Sequence, residues 1–211
     1  ARMARKKENA VILSQEMIAK DIYSMWIKTD AAKEAVPGQF ISMYTNDGSR
    51  LLPRPISICE INRADSSLRV VYRVTGKNTG TELFSRMKAG DTIPVIGPLG
   101  NGFPYKEAEG KKVFLMGGGI GVPPILELVK QMECGKKQII MGYRDAETFL
   151  KDEFEKYGEV YVSTEDGSVG TRGNVMDAIR ENGLEADMIF ACGPTPMLRA
   201  IKEYAEKNNI V

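Results

Sequence analysis

Between residues 8 and 97 the apolar positions come in short runs broken by turn residues: ENAVILSQ, DIYSMWIKT, FISMYT, PISICEI, SLRVVYRV and DTIPVIG. Runs of this length and spacing predict strands of an antiparallel sandwich or barrel. One helix should interrupt them, from about residue 79 to residue 87, with Thr79 as its cap. The pattern changes near residue 108. GNGFPYKEAEGKK reads as a linker, and beyond it strand-like and helix-like segments alternate. VFLMGG leads into VPPILELVKQM, QIIMGY into LKDEFEKY, EVYVST into NVMDAIREN, and DMIFACG into PMLRAIKEYAEKN. That alternation predicts a parallel sheet covered by helices. The division is therefore a β domain at 1–108 and an α/β domain at 109–211.

Composition narrows the function classes. With 211 residues and 43% hydrophobic content the chain can bury a core, as one large domain or two of about 100 residues. Lys+Arg 29 against Asp+Glu 28 gives a net charge of +1, which is not the basic footprint of a nucleic-acid binder. The basic opening ARMARKK lacks the apolar stretch of a signal peptide, and no run is long and apolar enough to span a membrane, so a cytoplasmic protein is expected. Cys59, Cys134 and Cys192 show no CxxC spacing, which argues against a disulfide framework or a metal site held by this chain alone. The chain has no histidine. His-dependent triads are thereby excluded, and redox or group-transfer chemistry should come from a bound cofactor.

Four stretches carry candidate chemistry. Gly117, Gly118, Gly119 and Gly121 fall between a strand and a helix, where backbone can approach a phosphate or nicotinamide closely and a helix start favours an anion. Alone, GGGIGVPP is a weak signal that also admits a plain tight turn. CGPTPM (192–197) also joins a strand to a helix, and in an open α/β sheet such turns line the ligand crevice. An isolated Cys192 would be a small buried hydrophobe. In LLPRPISICE, Arg54 can bond a phosphate and Pro55 can open a strand, although Arg54 alone could be a surface ion-pair residue. In YRVTGKNTGTELF, Arg73 stands near a helix start at Thr79, Gly80 and Thr81, either a pyrophosphate site or an ordinary capped helix.

Taken together, RPIS, YRVTGKNTGT, GPLGNGF, GGGIGVPP, STEDGSVGTRG and CGPTPM, in that order over nearly the whole chain, resemble the ferredoxin-NADP reductase superfamily. Within it they most resemble the electron-transfer subunits of bacterial dihydroorotate dehydrogenase. The resemblance implies an N-terminal antiparallel Greek-key β-barrel for FAD and a C-terminal parallel-sheet α/β domain for NAD(H). It implies that Arg54 contacts the FAD phosphates and that Ser57 sits near the flavin N5. Pro55 and Ile56 would shape the isoalloxazine slot, Tyr72, Arg73 and Val74 would line the cofactor, and Thr79, Gly80 and Thr81 would hold the pyrophosphate. Gly118, Gly119, Gly121, Cys192, Gly193, Pro194 and Met197 would form the nicotinamide pocket, with Ser57 and Cys192 at the reacting atoms. Asp166, Gly167 and Ser168 match a DGS turn of the family, which reads as a loop turn or a ligand contact.

The resemblance also implies a reaction and partners. Hydride would pass between nicotinamide and flavin stacked between the domains, without a protein acid or base. Electrons from dihydroorotate would reach NAD through this subunit, in a heterotetramer with an FMN-containing catalytic subunit, as part of pyrimidine biosynthesis. Members continue into a segment whose four cysteines hold a 2Fe-2S cluster, whereas this sequence ends at Val211 without them, so the expectation is a shortened chain or a cluster-free member. Two other readings stay open: a stand-alone NAD(P)H-dependent flavin or ferredoxin reductase, and a module that keeps the fold but binds no cofactor. Arg144 and Asp145 give mixed hints on NADP against NAD.

Overall fold

A computed structural model describes residues 7–47, 50–77 and 79–211, so Asn78 of the YRVTGKNTGT stretch and most of the basic opening lie outside the described residues. The chain forms two compact units, Ala1–Gly102 and Phe103–Val211.

The first unit is a closed barrel of β1 (Glu8–Ala19), β2 (Ile22–Lys28), β3 (Phe40–Asp47), β4 (Arg50–Asn62), β5 (Ser67–Arg73) and β6 (Thr92–Leu99). The strands stand in the order β1-β2-β5-β4-β3-β6, each antiparallel to its neighbours. The connections from β2 to β3 and from β5 to β6 skip neighbours, which gives the Greek-key order. Alternation along each strand builds the core: Ala10 and Ile12, Met25 and Ile27, Ile41 and Met43, Ile56 and Ile58, Leu68, Val70 and Tyr72, Ile93 and Val95 all point inward. The one α-helix among its described residues, α1 (Gly80–Ser85), is shorter than the sequence predicts, and its cap is Thr79, whose hydroxyl accepts from the Glu82 amide. A 3-10 turn at Asp30–Lys33 has no counterpart in the hydrophobic pattern.

The second unit alternates β7 (Lys112–Gly118), α2 (Pro123–Gln131), β8 (Lys136–Tyr143), α3 (Lys151–Glu155), β9 (Glu159–Thr164), β10 (Thr171–Arg172), α4 (Val175–Asn182), β11 (Met188–Cys192) and α5 (Thr195–Lys207). Its sheet is parallel, in the order β10-β9-β8-β7-β11. Phe114, Met116 and Ile140 pack one face against Val175, Met176, Ile179 and Ile201 of α4 and α5. The chain winds outward from β7 through β10 and then returns to β7's other side as β11. The strand order therefore reverses between β7 and β11, and such a reversal opens a crevice at the carboxyl ends of the two strands. Among these strands the two-residue β10 escaped the sequence pattern, being too short to show a period. No helix among the described residues is long and apolar enough to cross a membrane.

Candidate cofactor sites

The site in the first unit begins with β4. Its first half, residues 50–57, pairs with β3, while the β4–β5 ladder runs only from Ile58↔Val70 to Asn62↔Ser67. The Ile58 amide donates to the Gln39 carbonyl at 3.0 Å, on the β3 side. Peptide groups alternate sides along an antiparallel strand, so those of residues 53, 55 and 57 point away from β3. On that edge Pro53 and Pro55 have no donor to lose, which explains two prolines inside one strand. The Ser57 amide faces the same edge. Beyond Ile58 this margin has no ladder partner among the described residues. Open backbone groups of this kind need an acceptor or donor from elsewhere.

The pleat divides the RPIS side chains. Ile56 (9% exposed) belongs to the barrel core, with Arg54 on the same face nearer the barrel's end, while Pro55 is exposed and Ser57 half-buried on the other face. Arg54 is half-buried and lies over the start of α1: a Cβ on Gly80 would be 2.8 Å from its Nε and 3.0 Å from its Cγ. Among the described residues no carboxylate pairs with Arg54, whose one bond is Nη1 to the Pro53 carbonyl at 3.2 Å. Half-buried Arg73 likewise has no acidic partner among them. Two guanidinium groups without anions suit a phosphate-bearing ligand. The loop before α1 is tied internally: Thr79 Oγ1 donates to the Gly76 carbonyl at 3.0 Å, and the Thr75 amide donates to Thr81 Oγ1 at 3.2 Å. Thr79 and Thr81 therefore shape the loop that presents the helix start.

The side chains of Ile56 and Tyr72 point into the barrel core, because strand alternation sends both inward. Tyr72 is 1% exposed, stacks on Tyr23, meets Phe84 edge-on and donates its hydroxyl to Gln15 Oε1 at 2.5 Å. Burial raises its hydroxyl pKa, so it remains a neutral donor. Val74 also packs against the core, and its amide bonds the Asp21 carbonyl at 2.8 Å. Gln15, which no motif marks, then donates to the Phe84 and Met87 carbonyls at 2.9 and 2.8 Å, pinning the end of α1 to β1. A polar residue on an outward-reading strand gave no signal of that clamp.

In the second unit the two glycine turns meet at the crevice. Cys192 is in register with Gly117, and a Cβ on Gly121 would run into the Cys192 carbonyl oxygen. Gly119 has φ +55, and a Cβ there would meet nothing within 4 Å, so conformation rather than space calls for glycine. Ile120, at the tip of the turn, is 45% exposed. Gly193 and Met197 approach Gly118, Pro194 is exposed, and Cys192 is half-buried. Burial raises the Cys192 thiol pKa, which keeps it protonated at neutral pH. The crevice is thus lined by backbone, a neutral thiol and a thioether, a surface suited to a flat uncharged ring. Phe103 of the GPLGNGF stretch packs edge-on against Phe190 of β11, with centroids 6.0 Å apart. Asp166 accepts from the Ser168 amide and hydroxyl at 3.0 and 2.6 Å, and those bonds lower its pKa, while its own amide donates to the Arg144 carbonyl at 3.2 Å, so the DGS stretch is an exposed turn tied to the loop after β8. Arg144 and Asp145 are both exposed after β8.

Comparison with known proteins agrees with this fold. Residues 115–203 match the oxidoreductase NAD-binding domain family. The chain is 44% identical over 206 residues to the dihydroorotate dehydrogenase B (NAD(+)), electron transfer subunit of Fusobacterium nucleatum subsp. nucleatum, covering 93% of this chain and 79% of that one. Identity to the subunit of the same description from Bacillus velezensis is 43% over 204 residues, covering 94% and 79%. Among solved structures, an NADH-dependent reduced ferredoxin-NADP oxidoreductase superposes with a TM-score of 0.83 at 30% identity, covering 94% of this chain and 72% of that one. A ferredoxin NADP+ reductase from Neisseria gonorrhoeae, solved with FAD and NADP, shares the fold at a TM-score of 0.78 and 18% identity, covering 92% and 88%.

Proposed function

The chain belongs to the family of dihydroorotate dehydrogenase B electron transfer subunits, and from that premise we propose that it binds FAD in its barrel and NAD(H) at its glycine crevice. Its role is to pass electrons from dihydroorotate oxidation in a partner subunit to NAD. The observation that carries the reading is the open margin of β4 together with two arginines, Arg54 and Arg73, that have no carboxylate partner among the described residues. FAD held there would supply the redox chemistry, being able to take up or give a hydride and single electrons. The chain's own residues bind and orient. Arg54 neutralises phosphate charge above the start of α1, with Arg73 as the second cation. The Ser57 amide and hydroxyl donate along the open strand margin, where Pro55 keeps the edge free of a competing donor. Gly118, Gly119, Gly121 and Gly193 let main chain approach a ring closely, and the Cys192 thiol offers a neutral contact. No residue need move a proton, consistent with a chain that lacks histidine.

A 2Fe-2S cluster does not fit the residues present. It needs four ligands, whereas the three cysteines comprise Cys59, buried in the barrel, and Cys134 and Cys192 at opposite ends of the parallel sheet. No step is therefore routed through a cluster on these residues. The proposal extends to a cytoplasmic heterotetramer with FMN-containing dehydrogenase subunits, which rests on the resemblance of the whole chain to its relatives. Co-expression with a dihydroorotate dehydrogenase catalytic subunit tests it. The expected result is a yellow complex that reduces NAD with dihydroorotate, its FAD and FMN quantified after release. A colourless chain that NADH titration leaves unchanged would refute cofactor binding. A yellow chain that never associates would refute the subunit role.

A further inference from the structure

Met197, on the first turn of α5, stands between the ends of the two strands where the sheet order reverses. A Cβ on Gly118, at the end of β7, would lie 2.5 Å from the Met197 sulfur, and a Cβ on Gly193, just past β11, would lie 2.7 Å from it. We propose that Met197 is a positioning residue: its thioether is the spacer that sets the gap between the two glycine turns, and with it the width of the crevice. The ligand half of this inference rests on the reading of that crevice as the NAD(H) site.

The glycines at the crevice exclude a side chain for three different reasons. Gly118 has φ −138 and ψ 132, a backbone that any residue adopts, so only the space taken by Met197 keeps a methyl out. Gly119 is required by its left-handed φ with open space around it, and Gly121 by the main chain of Cys192. A change at Met197 cannot relieve either of those two. At Gly118 the other nearby atoms, Met197 Cε at 3.6 Å and Pro194 Cδ at 3.7 Å, are at ordinary contact distance, which leaves the sulfur as the sole obstruction. Methionine suits such a post. It is unbranched and polarisable, fills an irregular gap between main chains, and here packs its stem against the core shared by α4 and α5. Taking the thioether away leaves the turns without a stop, and adding a methyl at Gly118 drives the thioether out.

A double-mutant cycle of Gly118→Ala and Met197→Ala tests this on the FAD-containing protein, with Met197→Leu as the volume-keeping control. NADH affinity is read by equilibrium fluorescence titration, flavin reduction by stopped flow, and folding by thermal melting. Each single alanine is expected to weaken NADH binding about tenfold. The double variant should return to within about threefold of wild type, because the added methyl occupies the vacated space, a coupling of about 1.5 decades or more. Met197→Leu should stay within about threefold. A purely structural role would lower the melting temperature while leaving NADH affinity unmoved, and that result overturns the proposal. So does an additive cycle, with the double variant about a hundredfold weaker, because Gly118 would then be needed by the ligand itself. If Met197→Ala fails to fold, the leucine and double variants decide by the same criteria. Wild-type protein that binds no NADH sinks the functional reading and the ligand half with it, whereas wild-type binding with an additive cycle sinks the spacer alone.

Discussion

Removing the Arg54 guanidinium should weaken FAD binding without unfolding the barrel. In this structure Arg54 has no carboxylate partner among the described residues, and its one bond goes to the adjacent Pro53 carbonyl. Truncation to alanine therefore takes little from the ligand-free fold: about 0.5 kcal/mol or less, a melting shift of about 2 °C or less. Binding is affected differently. A charge-assisted hydrogen bond contributes about 1.5–3 kcal/mol, and a phosphate left facing an uncharged rim loses about that much. At about 1.4 kcal/mol per decade, a loss of about 2–3 kcal/mol weakens FAD about 30- to 150-fold. Arg54→Lys keeps the charge but not the planar fork, and should fall between. Gly80→Ala approaches the same group from the other side, since its Cβ would lie 2.8 Å from the Arg54 Nε and displace the guanidinium. It should weaken FAD in the wild-type background and add nothing to Arg54→Ala. Flavin-fluorescence titration of ligand-free protein, with melting curves alongside, gives both quantities. An Arg54→Ala protein that binds FAD within about threefold of wild type refutes the phosphate role. Effects of Gly80→Ala and Arg54→Ala that simply add would separate the two residues.

Four further outcomes are expected. Ser57→Ala should slow NADH-driven flavin reduction about tenfold, the worth of one hydrogen bond, at unchanged FAD content, and an unchanged stopped-flow rate would remove Ser57 from the reacting centre. Tyr72→Phe should lose about 1 kcal/mol, a few degrees of melting temperature, through its bond to Gln15, and keep full FAD stoichiometry; loss of flavin would assign the Tyr72 hydroxyl to the cofactor. Gly121→Ala must separate two main chains, so it should destabilise the second unit by about 3 kcal/mol or more and abolish NADH binding, while FAD stays bound to the barrel; full NADH affinity would contradict the close approach. Burial disfavours the Cys192 thiolate, so its ionisation moves to higher pH than an ordinary thiol's. Flavin reduction should then be flat from about pH 6 to 8.5 in both wild type and Cys192→Ser; a transition inside that range that vanishes in the serine variant would show a working thiolate.

The amino-acid sequence by itself determined the division into a strand-rich half and a strand-helix half, because period-two and helical spacing follow directly from which side chains must be buried. It also located both glycine turns and the RPIS stretch, since glycine and proline leave their mark through backbone restrictions that act locally. Bulk composition settled the absence of histidine chemistry in the same direct way. What it could not assign was the direction of each side chain at the site. Ile56 and Tyr72 stand inside cofactor-like motifs, yet the closed barrel turns both inward, and only the register of Ile56 with β3 and of Tyr72 with β2 shows it. The open margin of β4 exists because its ladder with β5 stops at Ile58, a fact of three-dimensional pairing that no single segment contains. Arg54 meets Gly80, and Met197 meets Gly118, across turns distant in sequence. Local patterns decide which segments form because the forces acting there are short-range along the chain. The tertiary structure decided which groups face each other, because strand order and register bring together residues that have no local reason to meet.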